Sequence, residues 1–205
     1  EDPVRPFYRL GKRIIDLFAA LFVLVFTAPL LLLIAFLVKR ESKGPVLFSQ
    51  IRVGLGGRTF RMLKFRTMFT EMCGDAVSPD SKKDPRITKV GRFLRSSSLD
   101  ELPQFINVLR GEMSIIGPRP ERPGITRNLE QAIPYFVERT YGVAPGITGL
   151  AQVINGYDET LNDVRAKLGY DLAYSLSLSH PWQWMLMELR IVGLTLQVML
   201  FGRGR

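Results

Sequence analysis

The chain has 205 residues, 46% of them hydrophobic, which is enough for one domain with an adequate core and too apolar for a mainly disordered protein. Its 28 Lys and Arg against 19 Asp and Glu give a net charge of +9, a balance suited to nucleic acid, anionic lipid head groups or a small polyphosphate. The single cysteine, Cys73, excludes an intramolecular disulfide and every multi-cysteine zinc site, and the single histidine, His180, comes without a Gly-x-Ser-x-Gly elbow, so histidine-based hydrolysis lacks its parts.

Leu17 to Val38 is an apolar run of 22 residues, interrupted by Pro29 and flanked by Arg9, Lys12 and Arg13 on one side and Lys39, Arg40 and Lys43 on the other. A straight helix of that length, at about 1.5 Å per residue, would just cross a ~30 Å hydrocarbon layer. Pro29 removes a donor near the middle, and basic residues at both ends favour keeping both ends on the cytoplasmic side. The spacing therefore predicts a bent, re-entrant helix that enters and leaves one leaflet, with Thr27 bonding a carbonyl freed by Pro29. A kinked spanning helix is the alternative, and a cleaved signal peptide fits poorly because the run is too long for its apolar region.

Pro45 to Gly54 and Thr59 to Arg66 read as two short strands about Leu55-Gly56-Gly57-Arg58, a hairpin signal. Alternation leaves Arg61, Lys64 and Arg66 unevenly placed, so one or two of them are expected at a ligand, the rest on a solvated face. Gly74 to Arg86 is polar and aperiodic, a loop that is either a lid or a plain connection. Lys89 to Arg95 reads as a short basic amphipathic helix.

Ser98-Leu99-Asp100-Glu101 fits a capping box for a helix that stops at Gly111, with Pro103 pushing the true cap one or two residues later. The acidic pair is what any helix start favours; the positive helix end is also expected to keep Asp100 ionised, as a nucleophile toward phosphorus requires. A neighbouring carboxylate then suits a divalent cation on a diphosphate. In Gly117-Pro118-Arg119-Pro120-Glu121-Arg122-Pro123 the prolines force extended backbone, a stiff support that would hold Arg119 and Arg122 ready for phosphate oxygens. Pro145-Gly146-Ile147-Thr148-Gly149 reads as a turn into a strand, its glycines permitting close approach of backbone to a ligand.

Together Lys64-Phe65-Arg66-Thr67-Met68, Asp84-Pro85-Arg86-Ile87-Thr88, Ser98 to Gln104, Gly117-Pro118-Arg119-Pro120 and Pro145 to Gly149 resemble, in order and spacing from about residue 7 onward, the bacterial sugar transferases, the monotopic phosphoglycosyl transferases. The resemblance implies transfer of a sugar phosphate from a UDP-sugar to undecaprenyl phosphate with release of UMP, at the cytoplasmic face of the bacterial inner membrane. It implies that Asp100 forms a covalent phosphosugar intermediate, that Asp100 and Glu101 hold an essential Mg2+, and that Lys64, Arg66, Arg95, Arg119 and Arg122 contact phosphate or nucleotide. Two departures stand out: Ala28-Pro29 replaces the Ser-Pro of many members at the membrane break, and Leu150 and Ile154 replace the commoner tryptophan and shorter spacing before Asn155-Gly156.

At the C-terminal end Trp182 and Trp184 precede Ile191 to Phe201, which at 11 residues is too short to span, so an in-plane interfacial helix is expected. A buried core helix and an oligomer contact, as in a homodimer, are the alternatives. The expected architecture is an α/β (α+β) small globular catalytic domain, residues 44–180, on an N-terminal re-entrant membrane helix hairpin, residues 1–43, followed by an interfacial amphipathic helix, residues 181–205. The competing functional readings are a non-catalytic, membrane-tethered basic binding module and a silent assembly protein; no nucleic-acid-binding signature supports the former as a DNA or RNA binder.

Overall fold

The computed structural model describes residues 6–70, 84–155 and 160–201. Most of the expected loop from Gly74 to Arg86, and Gly156, lie outside the described residues.

The apolar run forms part of one long helix, α1 (Pro6–Glu41). It is long enough to cross a membrane, and its most apolar stretch of 18 residues has a mean hydropathy of 3.0. The expected break does not divide it: α1 continues through Pro29. Loss of one N–H at Pro29 removes a single bond to the Val25 carbonyl, and the turns on either side suffice to carry the helix. Thr27 does not serve that freed carbonyl; its hydroxyl donates to the Val23 carbonyl at 2.7 Å, the common i−4 bond of a helical threonine.

β1 (Leu47–Val53) and β2 (Thr59–Phe65) form the expected antiparallel hairpin, with Leu47 opposite Phe65 and Val53 opposite Thr59. The turn needs two successive left-handed residues, and Gly56 (φ 64°) and Gly57 (φ 74°) supply them. The basic segment is α2 (Lys89–Ser96), capped by the Thr88 hydroxyl, which accepts from Gly91 N, and by the Glu41 carboxylate, which accepts from Lys89 N and Val90 N.

The capping box at Ser98 does not form. Ser98 is left-handed (φ 57°) with no side-chain cap, Leu99–Glu101 make a 3-10 turn, and α3 (Gln104–Arg110) begins only after Pro103. Pro103 has no N–H to donate back into the preceding turn, so it serves at the N-terminus of α3. Gly111 (φ 80°) ends α3 as expected.

β3 (Ser114–Ile116) and β4 (Gly146–Thr148) pair in parallel, with α4 (Pro123–Ala132) in the crossover. The glycines here serve backbone against backbone: a Cβ on Gly146 would lie 2.1 Å from Gly117 N, and one on Gly149 2.2 Å from Gly117 O. These glycines let the two loops approach each other, and Gly146 also lines the hollow of the candidate active site. The strand ends at Thr148, and Leu150 starts α5 (Leu150–Asn155). α6 (Leu161–Ser177) and α7 (Pro181–Phe201) complete the described chain.

Three buried clusters hold the fold. One joins Ile116, Val143, Leu150, Tyr174, Leu178 and Ile191; the second Ala20, Met62, Val108 and Met113; the third Ile34, Val38, Phe65 and Leu94. The membrane-type helix α1 contributes to the last two. Its N-terminal part is tied down by polar contacts as well: Lys12 Nζ to Glu188 at 2.7 Å, Arg13 to the Val108 and Leu109 carbonyls at the end of α3, and Asp16 accepting from Ile115 N. Between these anchors Phe18, Phe22, Val25, Phe26, Leu32 and Phe36 are exposed. On α7, Trp182, Leu186, Leu189, Leu196 and Met199 are exposed. Trp184, expected beside Trp182 at an interface, instead packs on the first cluster with its ring 3.7 Å from where a Cβ on Gly11 would lie.

Candidate active site

The hairpin places its even-numbered residues on one face, because paired positions such as Gln50 and Met62 share parity. Arg52, Met62 and Lys64 from that face line an open hollow. Its other walls are Glu101 and Gln104 from the turn and start of α3, Arg119 and Pro120 from the proline-rich loop, and Gly146, Ile147 and Gln152 from β4 and α5.

α3 is registered on β2 by Asn107, which is fully buried. Its Oδ1 accepts from Leu63 N at 2.9 Å, and its Nδ2 donates to the Arg61 carbonyl and to Glu112 Oε2. The side-chain amide thus acts as a further rung on the strand edge, and the acidic turn just before α3 is held over Lys64. The result is an ion pair between Lys64 Nζ and Glu101 Oε1 at 2.6 Å.

The adjacent carboxyls are displaced in opposite directions. Burial pushes Asp100 above the ordinary carboxylate value, assisted by the Glu101 charge and opposed by Lys64 and Arg95. Burial also raises Glu101, but Lys64, Arg119 and Arg52 outweigh it and leave its carboxyl below the usual value. Asp100, buried at 9% exposure, lies beside the hollow, whereas Glu101 lines it. The 3-10 turn, not a helix end, surrounds Asp100, so the expected help from a helix dipole is replaced by that of Lys64 and Arg95.

The basic residues separate into groups. Lys64 and Arg119 line the hollow. Arg95 is outside its lining, donates from Nε to Thr67 Oγ1 at 2.9 Å and acts on Asp100 by charge. Arg122 is the residue before α4, its carbonyl accepting from Thr126 N, and is also outside the lining. Arg66 is elsewhere: it is buried, and its Nη2 donates to the Val38 and Ser42 carbonyls at the C-terminal end of α1. A phosphate contact is expected at Arg66 from the resemblance; the side chain lies outside the lining of the hollow, with Nη2 serving the carbonyls of a helix end.

Arg52, Gln104 and Gln152 were missed in the sequence. Arg52 shares strand-face parity with Lys64 across the hairpin, a signal that was available. It donates from Nη1 to the Pro120 carbonyl and from Nη2 to Gln50 Oε1, and burial lowers its pKa to about 10 against the pull of Glu121. Gln104, although it ends the Ser98 to Gln104 motif, and Gln152 were not singled out; α3 and α5 bring them to the hollow through tertiary packing. His180 is exposed at the start of α7, with its carbonyl accepting from Trp184 N, outside the lining of the hollow.

Among the described residues no group of three or more His, Cys, Asp or Glu could hold a metal. Glu101 on the wall of this cation-lined hollow, with Asp100 next to it in the chain, suits Mg2+, which takes one or two carboxylates and completes its shell with water and substrate phosphate.

The bacterial sugar transferase family model matches residues 7–202. The chain is 42% identical over 97% of its length to the UDP-N-acetylgalactosamine-undecaprenyl-phosphate N-acetylgalactosaminephosphotransferase of Aeromonas hydrophila, covering 46% of that protein. It is 44% identical over 89% of its length to the UDP-glucose:undecaprenyl-phosphate glucose-1-phosphate transferase of Caulobacter vibrioides, covering 68% of it. It is 38% identical over 94% of its length to the exopolysaccharide production protein PSS of Rhizobium leguminosarum bv. phaseoli, covering 97% of it. The chain spans less than half the length of several of its longer relatives. With four of the five motifs contributing to the walls of one hollow, and with the match running over nearly all its length, this chain belongs to the bacterial sugar transferase family.

Proposed function

We propose that this protein transfers a sugar phosphate from a UDP-sugar to undecaprenyl phosphate, releasing UMP, as an initiating step of surface or exported polysaccharide assembly. Relatives named as undecaprenyl-phosphate sugar phosphotransferases support the reading, and its carrying observation is the carboxylate pair, one member displaced up and the other down, at a hollow walled by Lys64, Arg52 and Arg119. That division assigns two jobs.

In the ionised form, a carboxylate oxygen of Asp100 attacks the sugar-linked phosphorus of the donor. A P–O bond to Asp100 forms, the P–O bond to the bridging oxygen breaks, and UMP departs with that oxygen. An oxygen of the lipid phosphate then attacks the same phosphorus and expels the Asp100 carboxylate, giving the lipid diphosphate sugar. Lys64 and Arg119 neutralise phosphate oxygens, while Arg95 favours the ionised form of Asp100. Mg2+, when held by Glu101 and Asp100, supplies further charge neutralisation to the diphosphate.

The acceptor is a membrane lipid, and the reading places the protein on the cytoplasmic face of the inner membrane with α1 entering one leaflet. In support, both ends of α1 are anchored on the same domain, Lys12 to Ala20 against α3, β3 and α7, and Ile34 to Glu41 against β2 and α2. A helix that crossed a bilayer would carry its ends to opposite sides, where one domain does not hold both. The exposed apolar stripe of α7 suits an in-plane position beside it.

UMP release by protein in lipid nanodiscs, with Mg2+, undecaprenyl phosphate and a panel of UDP-sugars, tests the reading. Release with at least one donor, lost in Asp100→Asn, is expected; release indifferent to Asp100→Asn would contradict it.

A further inference from the structure

The loop that carries Arg119 is unusually dependent on its carbonyls, because Pro118, Pro120 and Pro123 have no N–H to donate. Four successive carbonyls each accept one bond. Pro118 O accepts from Gly146 N at 2.9 Å, Arg119 O from Arg139 Nη2 at 2.6 Å, Pro120 O from Arg52 Nη1 at 2.9 Å and Glu121 O from Val53 N at 2.8 Å.

Of these donors, Arg139 is a side chain from outside the lining of the hollow. It sits in the 3-10 turn Phe136–Thr140, its side chain almost wholly buried, with its guanidinium 4.4 Å from the centre of the Phe136 ring. Nη1 is paired with Asp171 Oδ2 at 2.7 Å, and Asp171 is itself 2% exposed on α6. One guanidinium thus bridges α6 and the backbone of the residue whose side chain lines the hollow. A buried ion pair of this kind adds little to net stability against an apolar replacement, whereas its fork geometry fixes direction.

We propose that Arg139, braced by Asp171, is a positioning residue that sets Arg119 against Glu101 by holding the Arg119 carbonyl. It touches no reacting atom, and it rests on the reading above that Arg119 contacts the donor diphosphate. Arg139→Lys keeps the charge beside Asp171 and loses the second prong.

The test is a double-mutant cycle on the UMP-release assay in nanodiscs, joined to hydrogen exchange of the same proteins. Arg139→Lys is expected to lower kcat/KM for the UDP-sugar about tenfold, and to lower it less than twofold when introduced into Arg119→Met, because the route through Arg119 is then already lost. The same tenfold loss in both backgrounds would overturn the proposal. Exchange of the Val53 and Gly146 amides, which bond Glu121 O and Pro118 O, is expected to quicken in Arg139→Lys; unchanged exchange at both would also overturn it. If Arg139→Lys fails to fold, Asp171→Asn, which keeps an acceptor for Arg139, takes its place with the same pattern expected. Wild-type protein that releases UMP with no donor would defeat the functional reading alone, and the exchange measurement would still decide the role of Arg139.

Discussion

Lys64 and Arg66 stand two residues apart at the end of one hairpin, both basic and both partly or wholly shielded from solvent, yet they face different tasks. Lys64 meets a carboxylate at 2.6 Å on the wall of the hollow. Arg66, just past the end of β2, turns to the carbonyls that end α1. The difference lies in what each meets: a side chain whose charge must be balanced and is open to a ligand, against backbone acceptors that need a donor permanently. A basic side chain at the end of a strand therefore serves a helix end as readily as the wall of a hollow.

Substitutions sharpen that contrast, the strongest first. Asp100→Asn keeps shape and removes the nucleophile, and UMP release is expected to fall by roughly a thousandfold or more. Glu101→Gln is expected to reduce kcat by about a hundredfold and to raise the Mg2+ concentration needed for half-maximal rate, read from a metal titration.

Lys64→Met is expected to lower kcat/KM by about tenfold. Because the Lys64 charge lowers both carboxyls, its removal raises them, and the acid limb of the pH profile of kcat/KM moves to higher pH. An acid limb that stays in place would break the assignment of Lys64 to the pair. Arg66→Met is expected to leave kcat per folded molecule unchanged while costing about 2–4 kcal/mol in chemical denaturation, since buried carbonyls lose their donor. Equal loss of turnover in Lys64→Met and Arg66→Met, with stability intact, would erase the comparison.

The smallest effect concerns Asp171, whose carboxyl burial raises to about 6 against the pull of Arg139. The folded state then holds its proton more tightly than the unfolded chain, where the ordinary value is 3.8. Its contribution to stability is full below about pH 3.8 and is lost as pH rises through about 6. The stability difference between wild type and Asp171→Asn is accordingly expected to vary between these limits and to be flat above them.

Elements written in local chemistry were legible in the sequence. The Gly56-Gly57 turn, the apolar length of α1 and the Gly111 stop each depend on residues within a few positions. At Ser98 the shift caused by Pro103 was expected, but by one or two residues; the helix start moves further, with Pro103 itself at the cap position. Of the residues that wall the hollow, Lys64, Glu101 and Arg119 stood out in the sequence, and the supports of those walls did not. Asn107 looks like an ordinary helical residue until it meets the edge of β2, and Arg66 looks like Lys64 until the end of α1, some 24 positions earlier in the chain, lies beside it. Tertiary partners of that kind leave no periodicity to read.

The central claim is a phosphosugar bonded to Asp100. Intact-mass measurement of the nanodisc-held protein after incubation with Mg2+ and an accepted UDP-sugar, without undecaprenyl phosphate, tests it most directly. The account predicts an added mass equal to one sugar phosphate, absent in Asp100→Asn and discharged when undecaprenyl phosphate is supplied. Full turnover with acceptor but no adduct without it, and no UMP released before acceptor is added, would contradict the account in favour of direct transfer.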